Sequence, residues 1–459
     1  MPEEINCTYN FKDNSEKAVE RFVGIELYSS SLIKGIGGIY KHRFKDFIVK
    51  EITENGKILE IKEDSPPPTF STIHKDRYTT FNLVKINKEP FEAIRDLSQA
   101  LKIPAEKISY SGLKDKASIS VQKVSIKGDF VEKLKKLKLR DYFFRNIYPT
   151  RKSVKLGSHW GNNFTIVIRN LDPSEENKKK IEQIIQILDT HGFPNYFGLQ
   201  RFGTFRPNSH IIGRYLLEGR YEKAYHEFIT TTYSTEDPQL QAIRDKLKNN
   251  DDLQTAYESF PKSLYYERKM VKYLIDHPDD YKGTFEILSQ DLIKLLISAF
   301  QSYLFNKMIS LRIHKGLSLL KGDTISILDD MNGHITKVKY IYGGRYDQYL
   351  EDAINLKRAV IVAPLVGYET NLEEFPIMKS FFETILKEEK IDSNIFRSEL
   401  ISNTDFKGSF RAIQVKPIGL NIIHIKDDEL LPGKKKLKIE FSLPKGTYAT
   451  MLLRELMKN

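Results

Sequence analysis

Strand-like alternation at both ends of this chain brackets a long helical middle, and no other feature constrains the fold as much. Apolar and polar residues alternate over 47–52, 78–86 and 163–169, the last with Phe164, Ile166 and Ile168 on one side. A period of two sends successive side chains to opposite faces of a sheet, so each run reads as a strand. From about 210 to 314 the pattern turns helical, with 286–313 its strongest stretch. Around Gly322 short strands resume, with turns at Gly343 and Gly344, and 405–459 is again strand-rich. With 459 residues the chain exceeds what one small core organises. The expectation is one domain, formed by 1–210 and 405–459, interrupted by a second over 211–404.

Local signals fill in this outline. A segment over 57–62 alternates and could pair with 47–52 as a hairpin, and Pro66 to Pro68 make a stiff break. Helical spacing of Phe91, Ile94, Leu97 and Leu101 predicts a helix ended by Pro104. Residues 106–126 read as strand, loop, strand, and the basic run 133–140 as a short helix. An amphipathic helix is expected over 173–191, closed by Gly192, and a terminal helix over 449–457 with Thr447 as its N-cap.

Composition narrows the function classes. Lys and Arg total 72 against 61 Asp and Glu, a net charge of +11 that favours a polyanionic partner, although a solvated basic surface explains the charge equally well. Hydrophobic content of 40% with 11% aromatics is globular. The single cysteine, Cys7, excludes a disulfide within the chain and nearly excludes a cysteine-based zinc site. The first residues lack the basic start and apolar run of a signal peptide, and no apolar stretch approaches the roughly 20 residues that span a bilayer. A soluble, cytoplasmic protein without a membrane partner is expected. There is no Gly-x-Gly-x-x-Gly after a strand, no phosphate-binding P-loop and no His-Glu-x-x-His, and the ten histidines form no close pair. No metal is expected.

Two segments hold residue types suited to chemistry on a base. In Tyr110-Ser-Gly-Leu-Lys-Asp-Lys-Ala-Ser-Ile-Ser-Val-Gln122, Gly112 permits a tight backbone, and Asp115 lies between Lys114 and Lys116. Neighbouring cations favour the ionised carboxylate that a nucleophile or general base requires. On composition alone an ordinary turn aspartate is the commoner explanation. In Phe193-Pro-Asn-Tyr-Phe-Gly-Leu-Gln-Arg-Phe-Gly203, aromatics, an amide and Arg201 crowd between glycines. Such a loop could stack a base and bind its edge or a phosphate, or its aromatics could fill a core, as expected for Tyr196 and Phe202. A basic segment, Lys41 to Glu51, leads into the first strand and suits either a phosphate-facing patch or a lysine-guarded strand edge. In 299–306 the aromatics are expected to be core, and the segment 441–455 to close the sheet.

At these segments the sequence resembles the TruD family of tRNA pseudouridine synthases. Four blocks stand in the family's order across nearly the whole chain. They are Gly-Leu-Lys-Asp with Gln122 seven residues after the Asp; Asn-Tyr-Phe-Gly with Gln-Arg-Phe-Gly; Gln-Ser-Tyr-Leu-Phe-Asn; and Leu-Pro-Lys-Gly-Thr-Tyr-Ala-Thr-Met-Leu-Leu-Arg-Glu. The resemblance implies an α+β pseudouridine synthase fold, a mixed and largely antiparallel sheet flanked by helices, with an inserted α/β TRUD domain. It implies isomerisation of a uridine in tRNA, typically uridine 13 of the D arm, with no cofactor and no obligatory protein partner. It places the catalytic carboxylate at Asp115 with Lys114 beside it. Lys41 and Phe47 match the family's early motif, and Asn195 and Phe197 match residues around the target base, Phe197 standing where other pseudouridine synthases commonly use Tyr. The chain departs from the family at Ser118, where Ala is usual, and at Ala117, where a larger polar residue is common. The length between Asp115 and Asn195 implies an archaeal or eukaryotic-like member.

These residues define an expected division of labour. Asp115 acts on the ribose, Phe197 stacks the flipped base, Asn195 bonds to the base or the loop, and Lys114 and Lys41 keep the site electropositive. Two other classes compete. A non-catalytic RNA-binding protein with the same basic cleft would gain nothing from a carboxylate at Asp115, and an Asp-dependent nucleoside hydrolase would leave the charge of +11 unexplained.

Overall fold

A computed structural model of the protein describes residues 8–9, 16–62, 78–112, 114–250, 252–316, 318–329, 333–345, 347–397 and 406–459. Cys7 and the break at Pro66 to Pro68 lie outside them. The strands that carry the architecture are β1 (Phe47–Thr53), β2 (Tyr78–Ile86), β3 (Ile108–Tyr110), β4 (Ile119–Lys127), β5 (Tyr142–Thr150), β6 (His159–Leu171), β7 (Thr324–Leu328), β8 (Ile335–Ile341), β9 (Ala359–Leu365), β10 (Ser409–Ala412), β11 (Ile418–Asp427) and β12 (Lys435–Pro444). The helices that pack on them are α1 (Pro90–Leu101), α2 (Glu175–His191), α3 (Ser209–Leu217), α4 (Gln290–His314), α5 (Pro376–Glu388) and α6 (Ala449–Met457). The fold is α+β, with a large mixed sheet flanked by helices.

Eight strands form that sheet in the order β11-β12-β6-β1-β4-β2-β5, with β3 added against β4. The pair β1–β4 is parallel and every other pair is antiparallel. One edge of β4 is fully paired with β2, from Ile119 to Lys127. Its other edge is shared: β1 takes Ile119 to Val121 and β3 takes Val124 to Ile126. The sheet therefore branches at its centre, and the loop from β3 to β4 emerges at the branch. That loop carries Asp115.

Apolar faces decide which helices cover which half. Phe164, Ile166 and Ile168 of β6 are all buried and pack with Ile181, Ile184 and Leu188 of α2. A separate cluster joins Phe81, Leu83, Val124 and Ile126 to Ala93, Leu97 and Leu101 of α1. Phe91, expected on the buried face, is exposed, and Ala93 takes its place because the helix buries the row at 93, 97 and 101. A separate antiparallel sheet is ordered β8-β7-β9-β10, and α5 lies on it. Its fourth strand, β10, comes from beyond the division expected at 404/405. Directly after it, Gln414–Val415 pairs with Phe193–Pro194 and returns the chain to the main sheet.

Some local expectations shift. Residues 57–62 make a single bridge, Ile52 to Ile58, in place of a strand. The basic helix stops at Lys136. Thr447 does not cap α6: Tyr448 occupies that position, because the Thr447 hydroxyl donates to the Pro444 carbonyl (2.6 Å) inside the preceding turn. Ser174 caps α2 and Gly192 ends it. Among the described residues no helix is long and apolar enough to cross a membrane.

One buried ion cluster fastens the approach to β1. Arg169 of β6 meets both oxygens of Asp46 (2.8 and 2.9 Å) and also Asp428 (2.7 Å), while its backbone exchanges two hydrogen bonds with Ile39. Arg169, Asp46 and Asp428 are buried, so removing the cation strands two carboxylates away from water. Breaking a buried pair from one side costs about 3–5 kcal/mol. Arg169→Leu is expected to lose about that much stability in urea denaturation, and Arg169→Lys less.

Candidate active site

Asp115 lies on the loop that leads into β4, with its side chain 43% exposed. One carboxylate oxygen, Oδ2, accepts from Lys41 Nζ at 2.8 Å, and Oδ1 has no partner among the described residues. Lys41 adopts a left-handed conformation (φ 56°) that turns its side chain into the site, and its ammonium lies 4.3 Å from the centroid of the Phe47 ring. Phe47 is itself buried, wedged edge-on against Phe164. Lys41, Phe47 and Asp115 are thus brought together, the ring forming a floor under the ion pair.

The lysines beside Asp115 in sequence do not neutralise it. Each has its own carboxylate partner elsewhere in the fold. Lys114 points inward to Glu51 of β1, a buried pair at 2.9 Å. Lys116 turns outward, 3.5 Å from Glu89. Glu51 also accepts from Ser111 Oγ and from the Lys123 backbone (3.1 Å), so Lys114 serves the underside of the loop. His159 completes this underside. Burial, with the Lys114 ammonium close by, holds its pKa below the usual range and keeps it neutral. Gly112 is required here for space and not for its torsion: a Cβ would lie 2.8 Å from His159 Cε1.

The loop backbone has its own clamp. The carbonyl of Asp115 accepts from Lys85 Nζ (2.6 Å) and from Ser118 Oγ (2.7 Å), and the same ammonium reaches the Lys88 carbonyl (2.8 Å). Lys85 is 1% exposed, and burial pushes its pKa down to about 8. Ser118, where the resemblance leads one to expect Ala, supplies one of these bonds.

Asn195, Phe197 and Arg201 form a second group. Both ends of the Asn195 amide are used: Nδ2 donates to the Ala412 carbonyl (2.9 Å) and Oδ1 accepts from Arg411 (2.6 Å). Phe197 is 7% exposed, edge-on to Phe305 and Tyr448, with its backbone bracketed by Asn306 of α4. The Arg411 guanidinium sits 4.2 Å from the Phe197 centroid and that of Arg201 5.8 Å. Arg201 donates to Ser302 of α4 (3.2 Å). Tyr196 and Phe202 are core.

Hydrogen bonds link the two groups. Gly157 donates to the Ser111 carbonyl (2.7 Å), Lys445 Nζ donates to the Gly157 carbonyl (2.8 Å), and the next residue, Gly446, accepts from Arg411. The terminal segment expected to be structural is therefore the bridge between the carboxylate loop and the aromatic loop.

Arg411, Lys85, Glu51 and His159 were not singled out as site residues from sequence. Glu51 and Lys85 lie within expected strands, and Lys85, between Val84 and Ile86, is a charged residue flanked by apolar ones. Arg411 gives no local signal. It bonds to carbonyls and to Asn195, 216 residues away, and has no carboxylate partner among the described residues.

Comparison with known proteins accords with this geometry. Residues 22–456 match the family model described as tRNA pseudouridine synthase D (TruD). A relative from Methanosarcina barkeri, named as a probable tRNA pseudouridine synthase D, is 34% identical over 447 residues, covering 96% of this chain and 97% of the relative. A Methanocaldococcus jannaschii protein named likewise is 31% identical over 92% of this chain and 96% of its own length. A crystal structure of a Methanosarcina mazei protein described as a tRNA pseudouridine synthase D superposes with a TM-score of 0.75 and 31% identity, over 96% of this chain and 98% of the other.

The Lys85 clamp has a pH signature. A lysine that titrates near 8 when folded and near 10.5 when unfolded leaves the unfolded chain holding more protons between those values, so its contribution to stability rises with pH across that window. The stability difference between wild type and Lys85→Met is expected to grow in favour of wild type by about 1–2 kcal/mol from pH 7.5 to 9.5, read by urea denaturation. Turnover of Lys85→Met is expected to fall at all pH values with RNA affinity retained.

Proposed function

The chain belongs to the TruD family of tRNA pseudouridine synthases, isomerases that convert uridine to pseudouridine in tRNA, and on that premise we propose that it acts on uridine 13 of the D arm with Asp115 as the catalytic carboxylate. The observation that carries the assignment of Asp115 is the exposed carboxylate on the loop that leads into β4, with one oxygen held by Lys41 at 2.8 Å and the other open. A carboxylate oriented through one oxygen presents the second to a ribose without reorganising.

In this reading the target uridine leaves its stack, at a cost of a few kcal/mol offset by contacts in the site. The C1′–N1 bond breaks with its electron pair going to N1, the uracil turns within the pocket, C5 bonds to C1′, and the proton lost from C5 is balanced by one taken up at N1. Asp115 either attacks C1′, forming an ester bond that breaks as C5 bonds to C1′, or removes the proton on C2′ to give a glycal and returns it as C5 adds. Atoms and electrons balance without a cofactor. Phe197 offers an aromatic edge on which the base rests, and Arg201 and Arg411 bring positive charge to that ring. Asn195, with both amide ends engaged, acts on the loop and on Arg411. Lys114 supports the loop from beneath.

Asp115→Asn is expected to abolish tritium release from 5-tritiated tRNA transcripts while filter binding shows unchanged affinity; appreciable turnover would remove Asp115 from the chemistry. A transcript with cytidine at position 13 is expected to yield no pseudouridine with the wild-type enzyme. Product elsewhere in that transcript would reassign the target.

A further inference from the structure

The connection between β5 and β6 borders the site and has no part in the reading above. It carries Arg151, Lys152 and Lys155, all exposed, and between Lys155 and Gly157 an apolar side chain, Leu156, that is 75% exposed. None of the three cations has an ion-pair partner among the described residues. A single exposed leucine is ordinary on a protein surface. This one sits at the corner of a turn closed by Ser158 donating to the Lys155 carbonyl (3.0 Å), with Gly157 in a left-handed conformation (φ 77°) at the next position. The geometry aims the side chain of Leu156 away from the protein.

The turn is held to the catalytic machinery and does not sway freely. Gly157 donates to Ser111 on the strand that leads to Asp115 and accepts from Lys445 of the bridge, and Val154 donates to Ser125 Oγ of β4 (2.8 Å). An apolar tip flanked by unneutralised cations, joined by a backbone hydrogen bond to the segment that leads to Asp115, has the form of a wedge. Apolar side chains inserted between base steps unstack them, and cations on either side hold the phosphates.

We propose that Leu156 inserts beside the target uridine of tRNA and opens its stack, with Arg151, Lys152 and Lys155 gripping the flanking backbone. The proposal rests on the tRNA pseudouridine synthase reading of the site. Leu156 is a positioning residue: it acts on the neighbouring base and leaves the chemistry to Asp115.

The test uses full-length protein and the uridine that the wild-type enzyme is found to convert, with 2-aminopurine placed next to it in the tRNA. In an Asp115→Asn background, saturating enzyme is expected to raise 2-aminopurine fluorescence as the neighbour unstacks, and Leu156→Ala is expected to lose most of that rise while tRNA is still bound. With Asp115 intact, Leu156→Ala is expected to slow single-turnover conversion about tenfold or more, since unstacking then goes unassisted. Replacing the three cations together by Gln is expected to weaken binding and to flatten the slope of log affinity against log salt by about 2–3. A fluorescence rise unchanged in Leu156→Ala, no rise with the parent protein, or an unchanged salt slope overturns the proposal. Turnover surviving in Asp115→Asn would instead overturn the catalytic assignment and leave the fluorescence result standing.

Discussion

The site depends on the shared edge of β4. A central strand normally offers each edge to one neighbour, and a loop then leaves only at the ends. Here the parallel partner β1 takes the first residues of that edge and the antiparallel β3 takes the later ones. The β3–β4 loop must emerge where they meet, between the helices packed on β6 and those packed on β2. The loop rests on a scaffold that cannot slip register without exposing both apolar clusters. The parallel pair also sets the direction of β1, so that the segment before it, from Lys41 to Asp46, arrives beside the same loop. Arg169 fixes that approach by holding Asp46.

Placing the loop is only part of the problem, since a loop at a branch is free to bend. Three charged groups stop it from doing so, and each uses a different part of the chain. Lys41 takes the carboxylate, Lys114 takes Glu51 beneath, and Lys85 takes the carbonyl of Asp115. The division matters for electrostatics. Lys114 is neutralised by Glu51 and Lys116 faces Glu89, so the positive field at Asp115 comes from Lys41, across 74 residues of sequence, and from the buried Lys85. Burial raises the cost of the Lys85 charge, and the bonds to two carbonyls offset only part of it, which is why that group titrates low.

Much of the fold was legible because period-two runs and helical runs are local. The strand Tyr78–Ile86, the helix Ala449–Met457 and the buried face of Phe164, Ile166 and Ile168 follow from neighbouring residues alone. What a side chain faces is another matter. Lys114 and Lys116 looked like partners of Asp115 because they adjoin it, but Glu51 and Glu89 take them. Thr447 looked like a cap, but its hydroxyl found a nearer carbonyl. Asn195 looked free to bind a base, yet its amide is spent on Ala412 and Arg411. Arg411 is the opposite case: an inconspicuous residue in the segment that leaves the insertion, given significance by the strand β10 that delivers it to Phe197.

That delivery explains why the insertion and the outer domain work as one unit. β10 belongs to the sheet of the insertion, and two residues later the chain pairs with Phe193–Pro194 beside the aromatic loop. Arg411 ends on Asn195 on one side and on Gly446 of the terminal bridge on the other, and the bridge runs through Lys445 and Gly157 to Ser111. A shift of the insertion relative to the sheet would pull on Arg411 and, through these bonds, on both the aromatic loop and the strand that carries Asp115.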